Sequence, residues 1–237
     1  DTRSQGRSGL IEGPVRRGFN AAVMDGLATG TLVEGAQEVQ GDLIHGSSGY
    51  RAIYADPPWR FRTWSETNQA KSPSRHYDLM TTEDLKRLPV GEMAAPDAAL
   101  FMWAVNPMIP QALDVMAAWG FKYATVAFTW AKRTPTDRAW HFGLGYWTRQ
   151  NTEQCLLGVR GKPKVLKSAG SVRQLIVEPR REHSRKPDRV RADIESLISG
   201  PYLELFARST APGWDSWGNQ TDRFGDNPST DQHREDE

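Results

Sequence analysis

Apolar and polar positions alternate along the middle of the chain in a way that separates strands from helices. Residues 50–55, YRAIYA, form a short apolar run that predicts a strand. Residues 81–89, TTEDLKRLP, predict a short helix: Thr81 or Thr82 can cap it, and Glu83 and Asp84 suit its positive N-terminal end. Residues 98–105, AALFMWAV, are apolar throughout and predict a strand buried on both faces. Over 107–119, Ile109, Ala112, Leu113, Met116 and Ala117 recur at helical spacing, and Gly120 is placed to stop that helix. Strands follow at 121–132, 152–161 and 171–179. A helix is predicted to begin with Pro187 in its first position and to face inward with Val190, Ile194, Leu197 and Ile198. Residues 202–207, YLELFA, form the last clear strand. Strands alternating with helices predict an α/β sheet with helices on both faces, and ligands in such sheets bind beyond the carboxyl ends of the strands. Asp56 and Arg208 each follow a strand end, so both are expected on that rim.

The flanks read differently. Residues 1–49 are rich in Gly, Ser and charge with weak periodicity, and 224–237 are polar. Both are expected to be poorly ordered, which leaves 50–223 as the one domain. The 237 residues suit a single domain. A net charge of +1 means that a nucleic-acid site must come from local clustering. One cysteine, Cys155, excludes an internal disulfide and a cysteine-rich zinc cluster. No apolar run reaches the roughly 18 residues of a membrane span. A cytoplasmic, membrane-free protein is the expectation, with no metal site.

The stretch Asp56-Pro57-Pro58-Trp59 carries the candidate chemistry. Proline lacks the N–H of a sheet ladder, so the two prolines end the strand and stiffen the turn after it. The exocyclic amine of a base is a poor nucleophile because its lone pair is conjugated into the ring. Acceptors that take up its N–H groups steer the nitrogen toward a tetrahedral geometry and free the lone pair. The Asp56 carboxylate and the Pro57 carbonyl are two such acceptors, and rigidity lowers the entropic cost of aiming them. Trp59 offers a flat face for a base, a contact worth roughly 1–3 kcal/mol. The same four residues also suit a plain rigid corner.

Six blocks in order resemble the MT-A70 family of adenine-N6 methyltransferases. They are ADPPW at 55–59, LFMWAVN at 100–106, GYWTRQNTEQCLLGVRGKP at 145–163, RKPD at 185–188, YLELFAR at 202–208 and WGNQ at 217–220. The resemblance implies a Rossmann-like class I methyltransferase sheet in a permuted, β-class-like motif order, with S-adenosylmethionine as cofactor. It implies cofactor contacts from Asp56, Lys186, Glu204, Arg208, Asn219 and Gln220. Thr210 is a further candidate, since a His-Asn pair common after the arginine is replaced here by Ser209-Thr210-Ala211. On the substrate side it implies Trp59, Tyr77, Trp103 and Glu153, although Trp103 equally suits the core and Glu153 a buried hydrogen bond. The cations from Arg173 to Arg191, among them Arg181 and Arg185, read as a phosphate track beside that site. Nucleic acid is the implied partner, DNA ahead of RNA, with a homodimer or heterodimer possible. A non-catalytic nucleic-acid-binding subunit and an RNA adenine-N6 or cytosine-N4 methyltransferase are the alternatives.

Overall fold

The computed structural model describes residues 49–60, 79–143, 145, 147–162, 168, 171–181 and 185–218. The expectations for 1–48 and 224–237, and those for Tyr77, Asn219 and Gln220, lie outside the described residues.

A seven-stranded mixed sheet runs through the described residues in the order β5-β3-β4-β2-β1-β6-β7. The strands are β1 (Tyr50–Ala55), β2 (Ala94–Ala104), β3 (Lys122–Arg133), β4 (Thr152–Arg160), β5 (Leu175–Pro179), β6 (Tyr202–Leu205) and β7 (Trp214–Trp217). β1 pairs in parallel with β2 on one side and β6 on the other, β6 with β7, and β3 with β5. Only β4 is reversed, antiparallel to both β2 and β3. The carboxyl ends of the six parallel strands therefore share one edge of the sheet, where the amino end of β4 also lies.

The helices are α1 (Thr82–Arg87), α2 (Val90–Met93), α3 (Ile109–Ala118) and α4 (Arg189–Leu197). They cover both faces, because alternate residues of the central strands point to opposite sides. Ile53, Leu100 and Met102 pack with Leu85, Val90, Ala112, Val115 and Met116. Tyr54, Phe101 and Trp103 pack instead with Val190, Ile194 and Ile198.

The element boundaries moved where local chemistry outweighed pattern. Thr81 caps α1, its hydroxyl accepting from the Asp84 N–H at 3.2 Å. In α3 Val115 is buried and Ala117 exposed, so the inner stripe is rotated from the expected one. Gly120 ends that helix at φ +81°. α4 begins at Arg189, two residues after Pro187, whose carbonyl accepts the Val190 N–H at 3.2 Å in the preceding turn. β6 stops at Leu205, because Phe206 turns the chain at φ +60°. β7 was not expected as a strand at all. It is four residues long, and only pairing with β6 makes it one. Among the described residues, no helix is long and apolar enough to cross a membrane.

Candidate active site

Asp56 leaves the carboxyl end of β1 at the mouth of a cleft lined also by Tyr54, Lys186, Glu204, Phe206, Arg208 and Ser209. The turn behind it is stapled. The Pro57 carbonyl accepts the Trp59 N–H at 2.9 Å, and the Pro58 carbonyl accepts the Met80 N–H at 3.0 Å. The first bond spans three residues, a γ-turn, which fixes the direction of the Pro57 oxygen and leaves it one lone pair.

Lys186 donates to both Asp56 oxygens, each at 2.8 Å. It also lies 3.4 Å from Glu153, which is in turn hydrogen-bonded and ion-paired to Lys132. The four side chains thus form one chain of alternating charge, Lys132–Glu153–Lys186–Asp56, laid across the carboxyl edge from β3 to β1. Burial pushes the Glu153 carboxyl up, but Lys186 and Lys132 outweigh it and hold the group at about 2. Burial pushes the Lys186 ammonium down, and Asp56 and Glu153 overcome that to leave it above its ordinary value. A carboxylate has about four acceptor positions. Lys186 engages one on each Asp56 oxygen, so Asp56 can still accept an N–H from an incoming amine.

Trp59 faces away from the expected stacking position, and Trp103 takes the core placement that its sequence position equally suited. Trp59 is buried in the core, and its Nε1 donates to the Trp103 carbonyl at 2.9 Å. Trp103 is buried too; its Nε1 donates to the Tyr54 hydroxyl at 2.7 Å, and Lys186 Nζ lies 5.7 Å from its ring centroid. Neither ring stands open as a stacking face. They brace the Asp56 turn and carry the Lys186 ammonium, because a large ring beside a strand end gains more from burial than from water.

On the other wall, Arg191 of α4 grips Glu204 of β6 with two bonds, 2.6 and 3.0 Å, and reaches the Ser209 hydroxyl at 3.2 Å. Burial pushes the Glu204 carboxyl up, against the pull of Arg191. Ser209 lines the cleft, whereas Thr210 is exposed and outside the lining.

Within the basic run from Arg173 to Arg191, the cations from Arg181 onward are largely paired. Arg181 and Arg185 both bind Asp188, at 2.6 and 3.1 Å, and Arg181 also donates to the Lys186 carbonyl at 2.8 Å. Arg189 binds Asp193, and Arg191 binds Glu204. Much of the charge is neutralised within the fold: helix spacing pairs Arg189 with Asp193, Asp188 takes Arg181 and Arg185 just before α4, and Glu204 takes Arg191 across from β6.

Sequence reasoning missed the roles of Lys132, Arg191, Ser209 and Tyr54. For Arg191 a signal existed: Glu204 sits in an apolar strand, and a buried carboxylate requires a cation.

The model of the family MT-A70 matches residues 50–220. This chain belongs to the MT-A70 family. It is 34% identical over 185 residues to a type II methyltransferase, M.MunI, from Mycoplasma sp, an alignment covering 71% of this chain and 76% of that one. It is 29% identical over 175 residues to an N(6)-adenosine-methyltransferase MT-A70-like protein of Arabidopsis thaliana, covering 72% of this chain and 24% of that protein. It is 28% identical over 177 residues to the human N(6)-adenosine-methyltransferase catalytic subunit METTL3, covering 73% of this chain and 28% of METTL3. This MT-A70 chain thus spans about a quarter of the length of those two relatives.

Proposed function

We propose that this chain transfers a methyl group from S-adenosylmethionine to the N6 amine of adenine in DNA. The observation that carries the reading is the Asp56 carboxylate, held on both oxygens by Lys186 at the carboxyl end of β1, beside the Glu204–Arg208 cleft. The donor set of that cleft suits the cofactor. The Arg208 guanidinium would hold its carboxylate, Glu204 and the Ser209 hydroxyl its ribose hydroxyls, and the half-buried Phe206 ring its adenine. Asn219 and Gln220, in the matching WGNQ block, would add amide contacts to the adenosyl group. The bound cofactor supplies an electrophilic methyl group.

The chain's own residues prepare the amine. Asp56 accepts one N–H, and the remaining lone pair of the Pro57 carbonyl accepts the other, which draws the nitrogen lone pair out of conjugation. Lys186 keeps Asp56 oriented, and Glu153 with Lys132 keeps Lys186 in place. After transfer the nitrogen carries a surplus proton, which Asp56 is placed to take. A target adenine within a duplex would have to leave the stack to reach this turn. DNA is favoured over RNA by coverage: the alignment with the type II methyltransferase takes in three-quarters of that relative.

The test is transfer of a tritiated methyl group to matched DNA and RNA, single- and double-stranded, resolved by nucleoside. N6-methyldeoxyadenosine is the expected product. Label on riboadenosine would move the substrate to RNA, label on cytosine would move the target base, and cofactor binding without transfer would leave a non-catalytic subunit.

A further inference from the structure

With most of the 173–191 cations paired, a different surface has the composition that a nucleic-acid strand requires. Between Lys132 and Asn151 the chain carries four cations, Lys132, Arg133, Arg138 and Arg149, and a single carboxylate, Asp137, whereas the whole chain nets only +1. Asp137 is taken up locally by Arg133, Nε to Oδ1 at 2.9 Å. The same segment holds three large apolar rings out to water: Trp140 is 46% exposed, Phe142 67% and Trp147 100%. Rings of that size ordinarily gain by burial, and three held out to water along one cationic segment point to a contact surface.

The described residues of this segment are tied to β3. The chain folds back on β3 through an antiparallel bridge between Arg133 and Trp140, with the His141 N–H donating to the Lys132 carbonyl at 3.0 Å and the Gly143 N–H to the Gln150 carbonyl at 2.7 Å. A Cβ on Gly143 would meet the Gln150 carbonyl oxygen at 2.7 Å, so the close approach depends on glycine. The Arg133 guanidinium, steadied by Asp137, lies over the Trp140 ring at 4.8 Å. The fold-back leaves the carboxyl end of β3, the edge of the sheet that also presents Asp56. Lys132 at its root is the far end of the charge chain through Glu153 and Lys186 to Asp56. Arg180 joins the same edge, its N–H on the Arg133 carbonyl at 3.0 Å. His141 is pushed down by burial and then by Arg180 and Lys132, which sets both cations against this surface.

We propose that this fold-back is the docking track for the unpaired nucleic-acid strand flanking the target base. Trp140, Phe142 and Trp147 stack successive bases, and Arg138, Arg149 and Arg180 face phosphates. Stacking on rings interleaved with cations suits unpaired nucleic acid of any sequence, and the excess of cations favours that occupant over a protein. The inference rests on the methyl-transfer reading for its substrate, but its binding test does not need turnover.

The experiment measures binding of a fluorescein-labelled, adenine-containing single strand by anisotropy, and KM in the methyl-transfer assay. The Trp140→Ala, Trp147→Ala double variant is expected to bind at least about tenfold more weakly, with S-adenosylhomocysteine affinity unchanged. Trp147→Ala alone touches a fully exposed side chain, so its melting temperature should match the parent and its weaker binding cannot come from unfolding. Arg138→Ala, Arg149→Ala is expected to lower the slope of log affinity against log salt by about 0.7 for each phosphate that an arginine no longer neutralises. Unchanged affinity and KM in both double variants, with turnover intact, would overturn the track and leave the proposed reaction standing. A change of oligomeric state at unchanged strand affinity would also overturn it, in favour of a protein partner. Binding that depends on these residues in a chain that methylates nothing would support the track and sink the reaction.

Discussion

Asp56 does its proposed work as an acceptor, so its charge and lone pairs matter more than its volume. Asp56→Asn keeps the shape but turns half of the acceptor into a donor. It should lower turnover by at least about 10²–10³-fold, as removal of one preorganised polar group does elsewhere, with cofactor affinity kept within a few-fold. Calorimetry with S-adenosylmethionine and a methyl-transfer assay separate the two quantities, and near-normal turnover would remove Asp56 from its role. Trp59 makes a sharper distinction. Its ring is buried and its Nε1 holds the Trp103 carbonyl. Trp59→Phe should therefore cost about 1 kcal/mol of stability and lower kcat by loosening the turn, with KM for nucleic acid unchanged. A raised KM at constant kcat would return Trp59 to a stacking role. The motif was legible in the sequence, but the direction of its tryptophan was not, because local spacing says nothing about which neighbour will offer a carbonyl.

Single elements decide what meets Asp56. Among the described strands β4 alone is reversed, and its reversal brings Glu153, at its amino end, to the edge where the parallel strands end. β6 ends at Phe206 in the left-handed region, and the chain then folds back so that the Ala207 N–H donates to the Trp217 carbonyl at 3.0 Å. Gly218 packs against that turn: an added Cβ would collide with the Ala207 carbonyl oxygen and meet its nitrogen at 2.7 Å. Gly218→Ala should thus push the Arg208–Ser209 wall of the cleft, at a cost on the order of 1–3 kcal/mol. The expected readout is a lower melting temperature together with weaker S-adenosylmethionine binding. Weakened stability with unchanged binding would detach this turn from the cofactor site. The glycine was visible in the WGNQ block, whereas the pairing of β7 with β6 that crowds it was not.

At the scale of the molecule, the charge chain across the sheet edge ties stability to pH. Glu153 titrates at about 2 in the fold against an ordinary 4.5. Its folded value is depressed, so its contribution is fully present above about pH 4.5 and is lost as pH falls toward 2. At 1.36 kcal/mol per pKa unit that contribution is on the order of 3 kcal/mol. Urea unfolding of the parent and of Glu153→Gln should differ most at neutral pH, where the variant leaves Lys132 and Lys186 without their shared carboxylate. The gap should narrow between pH 4.5 and 2, and a gap independent of pH would show that Glu153 acts by packing alone. The sequence by itself determined the α/β alternation, the rigid Asp-Pro-Pro corner and the family, because these rest on local periodicity, on proline stereochemistry and on motif order. Only the tertiary structure decided that the arginine run from 181 to 191 is largely paired, that both motif tryptophans turn inward, and that Lys132 and Arg191 pair with Glu153 and Glu204. Each of those outcomes depends on which charges and carbonyls the sheet order places within about 3 Å, and no local stretch of sequence encodes that distance.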